Sequence, residues 1–285
     1  MTSTIEKPDP LILPGDEIRM MIYGFSGVGK TEILGSAMND PRTSPVLWLD
    51  LEGGVKTIRS KCRTRIGDRE LTVQDLGNPE PGLADVLRIR EYKDIQSAYD
   101  FVFHSRFNDK RRIYRSIVVD SLTEVNGSAL EHCKATDPNK ALKLDPDVAQ
   151  LRDYLACNGI MKKLLRGFRD LEGIHVWYSA LPKQDEIDDP TNNLKYMKPN
   201  LIGKLADEAV GIMDYVSFLR ADNKGLRELI FQPEGRIIAK EWSEAGKWIK
   251  TIKAKSVDEP ITITQILDAV LGITPSAPRP QATAR

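Results

Sequence analysis

The chain has 285 residues, 41% of them hydrophobic and 29% charged, which is enough apolar material for one large α/β domain with a well-solvated surface. Lysine plus arginine and aspartate plus glutamate both total 41, so the formal net charge is zero and any nucleic-acid site has to be a local basic patch. Cys62, Cys133 and Cys157 are widely spaced and form no C-x-x-C pair, which excludes a zinc knuckle or disulfide framework and predicts free thiols in a reducing compartment, the cytoplasm.

Residues 1–16 predict a flexible leader, because Pro8, Pro10 and Pro14 deny it helix. The stretch has no basic region followed by an apolar one, so it does not read as a signal peptide. No run approaches the ~18 apolar residues of a membrane span. One large domain is expected over 17–245, a small extension over 246–272 and a disordered Pro/Ala-rich tail over 273–285.

Along the domain, "IRMMIY" (18–23) predicts a buried strand, and "KTEILGSAM" a helix ending near Pro41. "PVLWLDLEGG" (45–54) predicts a second strand closed by two glycines. Residues 55–84 read as irregular and carry a basic cluster of Lys56, Arg59, Lys61, Arg63 and Arg65. A helix is expected over 94–107. The third strand lies in "YRSIVVDSLTEV" (114–125), and the helix after it runs to about Lys134. A polar insertion precedes a long amphipathic helix over 151–171. "IHVWYSAL" (174–181) is the fourth strand, and 182–199 a charged loop. A helix over 200–212 and a strand over 214–220 come next. "RELIFQ" and "RIIAKEW" predict a hairpin joined across Pro233-Glu234-Gly235, and 263–272 a last short helix. Strands alternating with helices predict a mostly parallel sheet flanked by helices.

The chemistry concentrates in "GFSGVGKT": Gly24, Phe25, Ser26, Gly27, Val28, Gly29, Lys30 and Thr31 fit G-x-x-x-x-G-K-[ST] at every fixed position. Glycines let the backbone curl so that successive N–H groups point at phosphate oxygens. Lys30 is expected on the β- and γ-phosphates and Thr31 on Mg²⁺. The strand before the loop and the helix after it supply the required context. A second carboxylate for the metal is expected at the end of a buried strand, and "SIVVDS" offers Asp120; its alternative role is the N-cap of the following helix, which either Asp120 or Ser121 could start. Asp50 and Glu52 stand at the carboxyl end of the second strand, and period-two spacing predicts that both side chains share one side. A carboxylate there suits activation of a water, with Glu52 the candidate base and Glu124 its rival.

The D-x-E after the P-loop helix and the "VVDS" strand together resemble the RecA-like core, the latter as its Walker B strand. From Arg19 to Ala221 the chain resembles the phage-encoded RecA-like ATPases of the Sak group of single-strand annealing proteins. The resemblance is carried by "GFSGVGKTEI", "LWLDLEGG", "SIVVDSLTEV" and "KPNLIGKLADEAVGIMDYVSFLR". It implies ATP with Mg²⁺, Glu52 as base, Asp120 as the Walker B carboxylate, and a γ-phosphate sensor in "WYSALPK", where Ser179 or Lys183 must serve in place of a glutamine. It further implies an ATPase of phage recombination or annealing that binds single-stranded DNA and self-associates as a ring or filament in the host cytoplasm. The resemblance adds a single-strand-binding protein as a further candidate partner. No counterpart of the DNA-binding extension of bacterial recombinases is evident. Lys183 and Arg220 are candidates for a residue acting across subunits.

The clusters 56–65, "KRRIYR" (110–115) and "MKKLLRGFR" (161–169) are candidate phosphate contacts, and each is equally readable as a solvated face. In the loop 182–199, Lys183, Lys195 and Lys198 are opposed by four acidic residues from Asp185 to Asp189. His104, His132 and His175 lack ligand spacing, and Trp48 and Trp177 read as core. A nucleotide-switched helicase loader or assembly partner is the alternative function. A small-molecule kinase fits less well, because no lid is evident.

Overall fold

A computed structural model of the chain describes residues 17–109, 113–138, 145, 147–187, 194–242 and 249–273. The predicted leader, Lys110 to Arg112 of the second basic cluster, residues 139–144 and 146 of the polar insertion, Asp188 and Asp189 of the charged loop, and the tail beyond Ile273 lie outside them. The strands are β1 (Arg19–Tyr23), β2 (Val46–Asp50), β3 (Cys62–Arg63), β4 (Arg65–Ile66), β5 (Arg69–Glu70), β6 (Ala84–Arg88), β7 (Ser116–Asp120), β8 (His175–Ala180), β9 (Pro182–Ile187), β10 (Leu194–Pro199), β11 (Tyr215–Ala221), β12 (Arg227–Ile230) and β13 (Thr251–Lys253). The helices are α1 (Lys30–Gly35), α2 (Tyr92–Asp109), α3 (Leu122–Thr136), α4 (Leu151–Arg169), α5 (Leu205–Ile212) and α6 (Ile263–Val270).

Nine strands form one sheet in the order β13-β12-β11-β1-β8-β7-β2-β6-β3. From β11 to β3 every neighbouring pair is parallel. β12 and β13 close one edge antiparallel. The sheet is apolar on both faces, as parallel strands covered on both sides require. Alternate residues divide between two cores: Met21, Tyr23, Leu49, Val119 and Tyr178 pack with α2 to α5. Met20, Ile22, Trp48, Val118 and Trp177 pack with α1 and α6. Both tryptophans are therefore core on the α1 face. α6 is fastened there by its own capping box at Thr262, by the Ile263 N–H to Ser36 Oγ at 2.7 Å and by Arg42 to Asp268 at 2.8 Å.

The segment read as irregular holds a short 3-10 turn (54–61), a small β4–β5 ribbon and β6. β6 is anchored by Asp85, which takes Arg63 through two contacts of 2.6 and 2.7 Å and the Tyr114 hydroxyl at 2.6 Å. The described parts of the predicted charged loop 182–199 are instead an antiparallel ribbon, β9 with β10, paired from Pro182↔Pro199 to Ile187↔Leu194. The predicted hairpin across 233–235 is also corrected. β12 pairs with β11 and β13, while the 237–240 segment bridges Glu234, Met197 and Val216. β11 comes first in the chain and has a free flank, so it takes β12 through the tight turn at Asp222–Gly225, where Gly225 N–H bonds the Asp222 carbonyl at 3.0 Å. The expected helix over 200–212 starts only at Leu205, after a turn in which Gly203 takes φ of +53°.

The cysteines are free thiols, and burial pushes Cys62 up to about 11 and Cys157 to about 12. No helix among the described residues is long and apolar enough to cross a membrane. His175 is buried under Trp177, with ring centroids 5.7 Å apart. Its Nδ1 accepts the Ile18 N–H at 3.1 Å, and its Nε2 has no partner. Burial lowers its pKa to about 4, below the unfolded value near 6.5. Between those values the unfolded chain binds a proton that the folded chain refuses, so stability falls as pH drops through that window, by about 1.4 kcal/mol per unit. Urea denaturation at pH 7 and pH 5 should show this loss in the native chain, and a smaller loss in His175→Gln.

Candidate nucleotide-binding site

The carboxyl ends of β1, β2, β7 and β8 meet at one edge, the side on which open α/β sheets bind ligands. β1 ends at Tyr23 and the glycine loop begins at once, with Gly24 N–H bonded to Ala180 O of β8 at 3.2 Å. Gly24 is glycine for a steric reason: a methyl group there would stand 2.5 Å from the Leu219 carbonyl oxygen of β11. Gly27 and Gly29 take φ of +75° and +102°, a region that side chains disfavour. Phe25 projects from the loop, 56% exposed, edge-on to Phe218 at 6.4 Å.

Lys30 is buried, and its Nζ donates to the loop's own Gly24 and Phe25 carbonyls at 2.7 and 3.0 Å. Burial lowers its pKa, while Glu52 and Asp120 nearby hold it up. Thr31 Oγ1 donates to Asp120 Oδ2 at 3.0 Å. Ser179 Oγ donates to the other oxygen of Asp120. Asp120 is 1% exposed. Burial pushes its carboxyl above the ordinary range, against the Ser179 and Thr31 hydrogen bonds, and the Glu52 and Asp50 charges add to the rise. The N-cap role weighed for Asp120 belongs to Ser121, which caps α3 through Glu124 N–H.

Asp50 and Glu52 do not share one side, because β2 ends at Asp50 and the period-two rule stops there. Asp50 is 2% exposed and turned inward: Oδ2 takes Arg88 Nη1 at 2.8 Å, and Oδ1 takes the Gly53 and Gly54 N–H groups at 2.8 and 3.1 Å. Glu52 is exposed and accepts from Ser121 Oγ. The backbone N–H groups of Leu51 and Glu52 both bond the Asp120 carbonyl, at 2.8 and 3.4 Å, so the turn carrying Glu52 is bolted to the end of β7. Gly54 closes over the pair below it: a methyl group there would stand 3.0 Å from Asp120 Oδ2 and 3.2 Å from Thr31 Oγ1.

Thr31, Asp120, Ser179, Lys30 and Glu52 are thus brought together at one edge. Glu124 is exposed on the first turn of α3. Lys183 is turned away on β9, bonded to the Leu201 carbonyl. Arg220 pairs with Glu228 on the antiparallel edge at 2.7 Å. Arg88 lies outside every sequence motif, whereas Ser121 lies within "SIVVDS". Ser121 is legible as the residue next to Asp120, whereas Arg88 has no motif position.

The donor set suits a phosphate chain with Mg²⁺. A buried carboxylate and a hydroxyl 3.0 Å apart are hard oxygen ligands, the few that Mg²⁺ takes from a protein while phosphates and waters complete its shell. No group of three or more His, Cys, Asp or Glu with metal-holding geometry occurs among the described residues, as such a shared site allows.

Sheet, glycine loop and paired Thr31–Asp120 define a P-loop ATPase domain. Residues 16–242 match the AAA domain family, and the chain belongs to it. No curated protein matches the chain. Among solved structures it is similar to the assembled ATPase EscN of the enteropathogenic E. coli type III secretion system, at 18% identity and a TM-score of 0.43 over 72% of this chain and 43% of that one. It is similar also to a prototypical ATPase from the type III secretion system of pathogenic bacteria, at 18% identity and a TM-score of 0.42 over 71% of this chain and 51% of that one. The chain therefore spans about half of those structures or less.

Asp50 is a positioning residue in this arrangement. Asp50→Ala strips Arg88 and two backbone N–H groups of their acceptor and should cost about 2 to 3 kcal/mol, read as a lower urea midpoint. An unchanged midpoint would remove the structural role.

Proposed function

We propose that the chain is an ATP- and Mg²⁺-dependent ATPase that binds single-stranded DNA in recombination or annealing, as its resemblance to the phage Sak group implies. The observation that carries the ATPase part is the convergence of Lys30, Thr31, Asp120 and Glu52 on one sheet edge. In this reading the loop N–H groups that follow Gly24, up to Thr31, grip the phosphates, and Lys30 exchanges its two loop carbonyls for β- and γ-phosphate oxygens. Thr31 and Asp120 hold Mg²⁺, which supplies charge neutralisation on the phosphates when bound. Glu52 accepts a proton from the water that attacks the γ-phosphorus, the bond to the β-phosphate oxygen breaks, and ADP and phosphate leave. Ser179, bonded to Asp120, reports on the site from β8.

The DNA part is supported by the segment just after Glu52. The 3-10 turn 54–61 starts at Gly54 over the Thr31–Asp120 pair and exposes Lys56, Arg59 and Lys61. Arg65 is exposed just beyond, while Arg63 is committed to Asp85. Nucleotide state and a short basic segment therefore share one stretch of backbone, and phosphate contacts by such cations are salt-sensitive. A second reading, a nucleotide-switched loader or assembly partner, is favoured by the exposed apolar start of α4 at Leu151 and Leu155, with Val148 just before it.

ATP turnover and fluorescence polarisation with single-stranded DNA, each with ATP and with ADP, separate these readings. DNA should bind with an affinity that differs between nucleotides and should raise turnover. Absence of binding in both states sinks the DNA reading, and stimulation by a helicase or other replication protein instead establishes the loader. Glu52→Gln should keep nucleotide while turnover drops about 100-fold or more. A normal rate in that variant would move the base to Glu124.

A further inference from the structure

The glycine loop is overhung by a side chain that belongs to no motif. Arg227 opens β12, where it pairs with Ala221 of β11 while its carbonyl takes the Ala254 N–H at 2.9 Å, so its backbone is held on both flanks. From there the guanidinium reaches the loop. A methyl group on Gly29 would stand 2.5 Å from the guanidinium carbon and 2.8 Å from Nε and Nη1. Glycine at 29 is demanded by the φ of +102°, and the space its missing side chain leaves is where the guanidinium of Arg227 lies. Arg227 Nη1 donates to Glu32 on the first turn of α1, 195 positions away in the chain. The pair is open to water, with side chains 23% and 49% exposed.

We propose that Arg227 is a phosphate-binding residue of this site, held by Glu32 until a nucleotide's phosphates enter the loop; the proposal rests on the nucleotide-binding reading above. A guanidinium is a planar fork of five donors shaped for phosphate oxygens, and one carboxylate contact uses little of it. A solvent-exposed ion pair is a weak tether, so a multiply charged phosphate chain outcompetes a single carboxylate for the guanidinium. The loop itself contributes one cation, Lys30, to that chain. Arg227 supplies a second from the same polypeptide, at Gly29. When it turns to phosphate, Glu32 is released to solvent. The β11–β12 edge thereby gains a direct contact with the nucleotide.

Fluorescent ATP and ADP analogues titrated into the full chain test this with Lys30→Ala, Arg227→Ala, Arg227→Lys and Glu32→Gln. Arg227→Ala should bind about tenfold more weakly, the loss expected for one charge-assisted phosphate contact. Arg227→Lys should fall between the two, because it keeps the charge without the fork. Glu32→Gln should bind as tightly as the native chain or tighter, because it frees the guanidinium. Native affinity in Arg227→Ala overturns the proposal. So does a loss in Glu32→Gln equal to that in Arg227→Ala, which would make the pair a strut for β12. If Arg227→Ala does not fold, Arg227→Lys against Glu32→Gln decides between the same two outcomes. A native chain that binds neither analogue refutes the nucleotide reading itself. Binding that Lys30→Ala abolishes and Arg227→Ala leaves intact refutes only the role of Arg227.

Discussion

Asp120 is a carboxylate sealed at the end of β7, and the elements around the site are arranged to compensate it. Water contributes almost nothing at this depth, so its charge is met by hydroxyls from two other elements, Thr31 after the glycine loop and Ser179 on β8. Its backbone carbonyl is used as well, by the N–H groups that start the turn after β2. One residue therefore ties three strand ends and the loop together. The ties are cheap to rearrange, since the side-chain contacts are single hydroxyl hydrogen bonds that a better ligand for the carboxylate displaces. Burial has raised the carboxyl pKa, and a bound cation would reverse that pressure. The same constraint explains why small residues surround it: a side chain at Gly54 would crowd Asp120 and Thr31 together.

The two acidic residues of the D-x-E divide the work because the backbone changes direction between them. Asp50, still in β2, faces inward and spends both oxygens on Arg88 and the Gly53–Gly54 turn. Glu52, past the strand end, is left exposed beside Ser121. Asp50 shapes the turn, and the turn presents Glu52. Because that turn also begins the 54–61 segment, whose Ile58 packs where a methyl on Gly35 of α1 would stand, the P-loop helix and the basic segment are in contact.

How far along the chain a signal reaches decides whether it is legible in the sequence. The strands β1, β2, β7 and β8 announce themselves because each is a short, mainly apolar run ending in a turn or a polar residue, and two-sided burial leaves few polar residues within them. The loop Gly24–Thr31 is legible because backbone geometry demands its glycines at fixed offsets. β6 is hidden because its run is broken by Asp85, a charge tolerable there only through Arg63 and Tyr114, 22 and 29 positions away. The 182–199 ribbon is hidden because its charges suit a paired strand in water as well as a loop. The partner of β12 is misread because chain proximity favours 233–235 as a turn, whereas β11 already offers a flank. Arg227 and Arg88 have no local signature at all, since each is defined by a residue distant in sequence.

This difference in range also separates residues that backbone geometry fixes from those whose side chains can exchange partners. Contacts inside the loop are set by backbone conformation and leave little choice of residue, as Gly24 against Leu219 and Gly29 at positive φ show. Contacts onto the loop come from elements with ladder partners of their own: β12 pairs with β11 on one side and β13 on the other. A side chain on such an element can change partner without the strand moving, which a residue of the loop cannot do. The antiparallel edge is therefore the part of the sheet best placed to read what the loop holds, because it meets the loop through the Leu219 carbonyl and one long side chain while its ladder stays intact.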